Sequence, residues 1–481
     1  MTMTSKGDSA ASWGGPPELS AWEAVMWRAE SDHRTRSAGV VLEILDTEPD
    51  WNRVVAAHDR LTHRVPRLRE RVVEPPVPLV TPAWSPDPHF DLSYHLQRIR
   101  LPEGGSLDDL YAIAGVLAAR PVDPQRPPWE GMLVGGLPGG QAAYLFKGHH
   151  SLTDGQGMLQ LLDLSHGRNR EASREQRAVE TPQRRMQSPS GLLVNRLASD
   201  IIGAPQHFGR AAAQLIGRLS RDPLATTEEA IRFGRSLGRV LAPPAAPRSP
   251  LLRNGGPGYR FITVDVPLST LKAAAKAAGG TVNDAFLAGL LGGMRRYHEK
   301  RGVTVDLLPM AIPVSIRNAN DPMGGNRFAA ARFVAPVGEE DPRARIAAIH
   351  RFVTEARDEP ALGFIDLIAP VLSLLPMMAL TPLAAQMTAA NDVQASNMGG
   401  VGRTLYLAGA KVLRLYVVGP RPGVAAMATM LSYDGTCCIG VNFDPEIITE
   451  VSEFLSCLQE GFDEVLHLAD GPDRGRGDVV R

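Results

Sequence analysis

Two consecutive histidines, His149 and His150, are the residues of this sequence best suited to chemistry near neutral pH. They follow an apolar run with a strand pattern at 141–148, and successive side chains of a strand point to opposite faces. One imidazole can therefore face a cleft while the other is buried. A histidine with its ordinary pKa of about 6.5 can act as a general base near pH 7. Asp154 follows shortly afterwards, and Gly155 permits a tight turn beside it.

Two other interpretations of this segment compete with a general base. Imidazoles and a carboxylate are metal-ligand types, but adjacent histidines diverge and no third His or Glu lies nearby at ligand spacing. The histidines could instead be core residues whose ring nitrogens form hydrogen bonds within the protein. We favour the general base because the whole pattern His-His-x-x-x-Asp-Gly is present, and we predict no metal.

Secondary-structure patterns place the histidines between a strand and a helix. Strands are predicted at 129–134 and 141–148, and a helix at 157–164. In the second half, Thr281 is suited to cap a long helix at 282–301, which Gly302 ends. The turn Asp434-Gly435 predicts a hairpin between strands at 426–433 and 436–442. Mixed strands and helices in two halves of similar style predict two related α/β layers with a cleft between them.

The segment 166–250 separates the two halves and differs from both. It begins with an arginine-rich stretch without apolar periodicity, continues with apolar helical pieces and ends in the proline-rich stretch 242–250. We therefore predict a disordered tail at 1–17, an N-terminal domain at 18–165, a linker with amphipathic helices at 166–250, a C-terminal domain at 251–470 and a tail at 471–481.

Composition excludes several classes of protein. The 481 residues include 51 Lys plus Arg and 52 Asp plus Glu, a net charge of −1. Such a chain lacks the basic field of a nucleic-acid binder, so no nucleic-acid partner is expected. The three cysteines show no C-x-x-C spacing and are expected to be reduced thiols. Residues 1–17 contain no apolar core of a signal peptide, and a cytoplasmic location is expected.

The longest uncharged stretch, 367–390, raises the question of a membrane span. Pro370, Pro376 and Pro382 would interrupt a helix repeatedly. We therefore favour a buried or tunnel-lining segment over a span. A surface segment that faces lipid stays open as an alternative.

Several motifs together resemble one family. The segment HHSLTDG (149–155) matches the HHxxxDG motif of CoA-dependent acyltransferases and condensation domains. Further segments resemble the bacterial wax ester synthase/acyl-CoA:diacylglycerol acyltransferase family, in the same order along the chain. They are PPWE (127–130), TVNDAFLAGLLGGMRRYHEKRG (281–302), PVSIRN with GGNRFAAARFVAPV (313–337), ASNMGGVGRTLYLAGAKV (395–412) and LSYDGTCCIGVNFD (431–444).

This resemblance implies both a fold and an activity. The fold would be α/β, with two chloramphenicol-acetyltransferase-like sandwich domains and an active-site tunnel at their interface. The activity would be acyl transfer from acyl-CoA to diacylglycerol or a long-chain alcohol. No acyl-enzyme is expected, because no Ser or Cys nucleophile is placed beside the base. Acyl-CoA would be a co-substrate, and no cofactor is expected.

The resemblance also implies roles for particular residues. His150 would be the general base beside His149, while Asp154 would be structural and pair with Arg317. Gly155 would leave room for the pantetheine arm of CoA. Asn283, at the start of its helix, could orient the acceptor or the oxyanion, or simply begin the helix. Ser396 and Asn397 could line the tunnel or form a polar turn.

The sequence departs from the family pattern in three places. Two prolines that the family usually carries are missing from 396–401, so a looser loop is expected there. Glu23 stands in place of the usual Leu-Asp pairing near the N-terminus, and Ser151 replaces the commoner Ala. These departures concern the acceptor pocket and leave two alternatives open. One is an acyltransferase with a different alcohol or amine acceptor, and the other is a non-catalytic lipid-binding relative.

Two binding surfaces remain open from the sequence. Arg168, Arg170 and Arg174 are candidates to hold the CoA phosphates, although solvated linker charge is the competing interpretation. The apolar pieces 191–202, 211–219 and 367–390 could dock on lipid. A peripheral position at the inner membrane surface or on lipid droplets is therefore a further hypothesis.

Overall fold

The computed structural model describes residues 13–77, 80–171, 185–194, 246–253, 255–315, 323–326, 328–357 and 390–470. Within these ranges the chain forms two mixed six-stranded sheets, a two-stranded sheet and helices packed around them. The predicted α/β class is confirmed. The predictions for Arg174, Arg317, residues 195–245 and residues 367–389 lie outside the described ranges.

Helices and strands alternate along the described residues. The helices are α1 (Ala21–Ala29), α2 (Trp51–Arg64), α3 (Leu92–His95), α4 (Leu107–Ala119), α5 (Gly155–Ser165), α6 (Leu268–Ala277), α7 (Val282–Lys300), α8 (Pro342–Arg357) and α9 (Val451–Leu466). The strands are β1 (Ala38–Leu45), β2 (Glu70–Val73), β3 (Ala83–Pro86), β4 (Leu96–Arg100), β5 (Trp129–Gly135), β6 (Ala142–His149), β7 (Arg260–Pro267), β8 (Leu308–Ser315), β9 (Phe328–Ala335), β10 (Val393–Val401), β11 (Tyr406–Leu407), β12 (Ala410–Val418), β13 (Ala426–Tyr433) and β14 (Thr436–Phe443).

The first sheet has the order β11-β12-β1-β6-β5-β4 and carries the histidine pair. β6 pairs antiparallel with β1 along its whole length, from Ala38↔His149 to Leu45↔Ala142, and with β5 on its other side. Every residue of β6 is buried. The strand that ends at His149 is therefore interior to the sheet and covered on both faces, which explains the apolar run at 142–146.

The second sheet has the order β7-β14-β13-β10-β8-β9. Its hairpin β13–β14 turns at Asp434 and Gly435, whose φ angles of 46° and 81° are both in the left-handed region. Such a turn matches the twist of the flanking strands, and the hairpin predicted from the Asp-Gly pair is confirmed. Side chains from α6, α7, α8 and α9 join those of the sheet in one apolar core.

Strands β11 and β12 connect the two halves of the chain. They follow β10 in sequence, yet β12 pairs antiparallel with β1 and so belongs to the first sheet. Tyr433 of β13 holds this crossing, because its hydroxyl donates to Val412 O (3.0 Å) and accepts from Leu405 N (2.9 Å). A piece of the predicted C-terminal domain thus completes the N-terminal sheet. The domain boundaries themselves stay a prediction.

Helices α7 and α9 approach each other closely at glycines. A Cβ atom placed on Gly461 of α9 would lie 2.5 Å from Gly289 O of α7, and closer still to Gly293 N. These neighbours are backbone atoms of a helix that is buried from Ala285 to Met294. The helix pair can therefore reach this separation only with glycine at the crossing point.

Candidate active site

The main chain of the histidine pair is held from three directions. His149 N donates to Pro128 O (3.0 Å), the residue of the PPWE segment just before β5. His150 N donates to Ser37 O (3.0 Å), just before β1. The side-chain amide of Asn326, from the second half of the chain, donates to His150 O. Two sheet neighbours and one distant loop therefore fix where the strand ends and the turn begins.

His149 is buried and points away from solvent. Its Nδ1 accepts a hydrogen bond from Ser151 N (3.0 Å), so a neutral ring carries its proton on Nε2. That Nε2 lies 3.3 Å from Glu30 Oε2 at the end of α1, and the ring meets Trp27 edge-on at 5.3 Å. Burial raises the pKa of Glu30, but its interactions with His149, the hydrogen bond from Ser37 N and the charge of Lys147 together outweigh this, and the pKa is lowered overall. His149 is thus oriented as a structural partner of α1.

Ser151 brings a hydroxyl close to a histidine, which bears on the expectation of no acyl-enzyme. Its Oγ lies 2.8 Å from His149 Nδ1. Both residues are about 1 % exposed, so this hydroxyl is enclosed rather than presented to a substrate. Ser151 also contacts the buried histidine and not His150. The geometry therefore gives Ser151 no nucleophilic position.

His150 is half-buried at the start of the turn. Burial lowers the pKa of its imidazole, and the charge interaction with His149 lowers it further. A hydrogen bond with Asn326 and the carboxylates of Asp154 and Glu30 act in the opposite direction without reversing the shift. The neutral form is thus favoured at pH 7, and this is the form that can accept a proton.

Asp154 is the N-cap of α5. Its carboxylate accepts from Gly157 N (2.9 Å), and its own N–H donates to Gly325 O (3.0 Å). The side chain is therefore committed to the first turn of the helix that follows the histidines. Arg317 lies outside the described residues, so the predicted Asp154–Arg317 pair stays a prediction.

Asp154→Ala should lower the free energy of unfolding by about 0.5–2 kcal/mol, the usual cost of losing an N-cap side chain. Asp154→Asn should recover most of this loss, because asparagine caps as well as aspartate. Urea denaturation of both variants measures the difference. If Asp154→Asn proves as unstable as Asp154→Ala, the charge of the carboxylate outweighs its capping, as the predicted pair with Arg317 would require.

Gly155 lies where the motif meets the second half of the chain. A Cβ atom at this position would be 3.1 Å from Met398 Cε, so the glycine allows α5 to begin against β10. Ser396 is half-buried and Asn397 is exposed on the same strand. The looser loop expected at 396–401 is wrong, because these residues pair with β13 in β10. The strand contains a β-bulge between Asn397 and Gly400, where the register shifts, instead of a loop.

Asn283 lies in the first turn of α7 and is half-buried. Within the described ranges its side chain makes no hydrogen bond, and no contact joins it to His150. Its neighbour Asp284 is fully buried, forms a capping box with Thr281 and lies 2.7 Å from His350 Nδ1. The structure therefore assigns the helix-start role to Asp284. A role of Asn283 toward substrate stays a prediction.

Two residues of the site, Glu30 and Asn326, were not singled out from the sequence. Asn326 lies inside the quoted segment GGNRFAAARFVAPV, so the motif contained it without marking its role. Glu30 had no sequence signal, because its link to His149 depends on how α1 packs against β6. Glu23, which departs from the family pattern, is also part of the site. It is buried and accepts a hydrogen bond from Asn326 N (3.0 Å).

The arginines proposed for CoA phosphates differ in their surroundings. Arg170 pairs with Asp46 and lies over the ring of Tyr406, 5.9 Å from its centroid. Its charge is thus partly neutralised within the protein. Arg168 is exposed. Phosphate binding by these residues stays a prediction.

Solved structures with this arrangement define the class of fold. A wax ester synthase/diacylglycerol acyltransferase from Marinobacter aquaeolei VT8 superposes with a TM-score of 0.62 at 21% identity, covering 94% of this chain and 100% of that one. The first condensation domain of the CDA synthetase superposes with a TM-score of 0.58 at 14% identity, covering 95% and 97%. The fold is therefore that of the two-domain, chloramphenicol-acetyltransferase-like proteins, as predicted.

Sequence comparison then gives the family. The family described as the wax ester synthase/diacylglycerol acyltransferase catalytic domain matches residues 19–286, and its C-terminal domain matches residues 324–465. A Mycobacterium tuberculosis relative, named as a diacylglycerol O-acyltransferase, is 40% identical over 461 residues, covering 95% of this chain and 93% of the relative. The chain belongs to the wax ester synthase/diacylglycerol acyltransferase family. It is an acyl-CoA-dependent acyltransferase, with an acyl donor and an acceptor as substrates.

Proposed function

We propose that this acyltransferase esterifies the hydroxyl group of diacylglycerol or a long-chain alcohol, with His150 as the general base. The observation that carries the proposal is the different environment of the two histidines. His149 is enclosed against Glu30, whereas His150 is half-buried and kept neutral by its surroundings. Relatives named as diacylglycerol O-acyltransferases support the choice of acceptor.

In this mechanism the imidazole of His150 takes the proton of the acceptor hydroxyl. The oxygen attacks the thioester carbonyl of acyl-CoA, the C–S bond breaks, and the proton passes to the CoA thiolate. The acyl group passes directly from the sulfur of CoA to the acceptor oxygen, through a tetrahedral oxyanion and without bonding to a protein side chain, so no acyl-enzyme forms. Asn283 could donate to the developing oxyanion, and Ser396 and Asn397 could line the path of the chain.

We further propose that the protein works at a lipid surface, because its acceptors do not dissolve in water. None of the helices in the described ranges is long and apolar enough to span a bilayer. The segment 185–194 exposes two large apolar side chains, Met186 at 54% and Val194 at 63%. Peripheral contact through such side chains would bring the site to its substrate without a membrane span.

The experiment that tests these proposals measures CoA release by the purified protein with a long-chain acyl-CoA. Diacylglycerol in liposomes, hexadecanol, a short alcohol, an amine and a no-acceptor control are compared, and flotation of the liposomes reports surface binding. We expect release that depends on the acceptor, and protein in the floated fraction. Acceptor-dependent release only with an amine or a short alcohol would contradict the assigned acceptor. Tight lipid binding without release would favour a binding protein, and activity without flotation would contradict the surface proposal.

A further inference from the structure

Glu23 makes two hydrogen bonds that only a carboxylate can make together. Its Oε2 accepts from Ser20 N (2.8 Å) and closes the capping box of α1, while Oε1 accepts from Asn326 N (3.0 Å). The second bond joins residues that are 303 positions apart in the chain, and Glu23 is buried. Both partners are N–H donors, so two acceptor oxygens are needed.

The short segment 323–326 forms hydrogen bonds with the histidine motif and with the helix α5 that begins there. Gly324 N donates to Gln160 Oε1 (2.9 Å), and Gly325 O accepts from Asp154 N (3.0 Å). Asn326 then donates its side-chain amide to His150 O. Asn326 is 8% exposed, so this hydrogen bond forms in a site largely closed to water. Segment 323–326, which belongs to the second half of the chain, therefore helps to hold the histidine motif in place.

Glu23 is thus the first residue in a series of hydrogen bonds that ends on the main chain of His150. We propose that Glu23 is a positioning residue for His150 and acts through Asn326. Glu23 holds Asn326, and Asn326 holds His150 O while Ser37 O accepts from His150 N on the other side. The inference rests on the proposed role of His150 as general base. It extends that role to a residue of α1 whose link to His150 runs through Asn326.

Glu23→Gln separates positioning from helix capping. Glutamine still serves at this place in a capping box, so the bond to Ser20 N is kept. The amide nitrogen of glutamine then faces Asn326 N–H, donor against donor, and the link to Asn326 is lost. Asn326→Ala removes the next link, the donor to His150 O. Because small misplacements of a catalytic group are costly, we expect both variants to lower kcat by roughly 10- to 100-fold with KM for acyl-CoA changed about twofold or less.

The matched control is Asp109→Asn. Asp109 occupies the same third position of a capping box in α4, is exposed and has no link to His150. It should leave kcat unchanged. Circular dichroism and thermal unfolding of every variant identify any loss of activity that comes from misfolding.

A pH profile gives a readout that a purely structural role would not move. Within the described ranges, the titratable groups that act on the pKa of His150 are His149 beside it, Glu30 just after α1 and Asp154 at the start of α5. Asn326→Asp adds a carboxylate at this site and should raise the pKa of His150, which moves the acid limb of kcat/KM to higher pH. The acid limb should stay in place in Asp109→Asn.

His150→Ala, assayed alongside, separates the two hypotheses. Inactive His150→Ala together with folded, fully active Glu23→Gln and Asn326→Ala would overturn the positioning role and leave the general base intact. Parental activity in His150→Ala would instead overturn the general base on which the inference depends. A fall in kcat in both linking variants, with the shifted acid limb of Asn326→Asp, supports the inference.

Discussion

Replacing His150 by alanine should lower acyl transfer by roughly 10²–10⁴-fold, the range over which a positioned acid–base group acts. The acceptor hydroxyl would then lose the group that takes its proton, while the binding of acyl-CoA would be largely kept. The fold should be retained, since the main chain of His150 keeps its hydrogen bonds to Ser37 O and to the side-chain amide of Asn326. Steady-state CoA release with the acceptor found for the parent protein measures the loss.

The pH dependence of the parent protein should report the same residue. Burial and His149 lower the pKa of His150 from its ordinary value of 6.5. The imidazole therefore stays neutral to more acidic pH than a free histidine, and the midpoint of the acid limb of kcat/KM should lie below pH 6.5. An acid limb at higher pH would contradict this assignment.

A histidine far from the site provides the control for the loss of activity in His150→Ala. His467 is exposed just after α9, where its Nδ1 lies 2.7 Å from Asp463 O. His467→Ala should keep parental activity at every pH. Equal activity of His150→Ala and His467→Ala would remove the general base from the mechanism.

Gly461→Ala should destabilise the protein by about 1–3 kcal/mol, the usual cost of overpacking a core. The added methyl group would lie 2.5 Å from Gly289 O and closer still to Gly293 N. These atoms belong to the backbone of α7, so no side-chain rotation can relieve the contact. The helices would have to separate, and the stacked rings of Phe286 and Phe462 would lose contact with each other. Urea denaturation followed by circular dichroism measures the change.

Gly402→Ala is the matched control for this prediction. Gly402 has no atom within 4 Å of an added Cβ, and its φ is outside the left-handed region. The same chemical change should therefore leave stability nearly unchanged there. If Gly461→Ala is as stable as Gly402→Ala, the close approach of α7 and α9 does not limit the packing of this core.

The strands shared between the halves connect these two predictions. The base lies at the end of β6 in the first sheet, whereas α7 and α9 pack on the second. β12 joins the sheets, and Asn326 brings the second half to His150. Damage to the second core can therefore reach the site, so activity and unfolding should be measured together for Gly461→Ala.

The local features of this protein are readable from short stretches of its sequence. A mostly apolar run predicted the strand that leads to His149, and Asp434-Gly435 predicted the hairpin between β13 and β14. The quoted motifs predicted the family and the fold class. These features depend on neighbouring residues, whose backbone preferences and side-chain period are readable from a short segment.

Contacts between distant groups depend on how the helices and strands pack together. It placed Glu30 against His149, linked Glu23 through Asn326 to His150, and turned the expected loop at 396–401 into a strand beside β13. An apolar pattern specifies which face of an element is buried, but it does not name the partner that covers that face. A hydrogen bond between residues 303 positions apart leaves no local pattern, because it exists only once the packed elements bring donor and acceptor together.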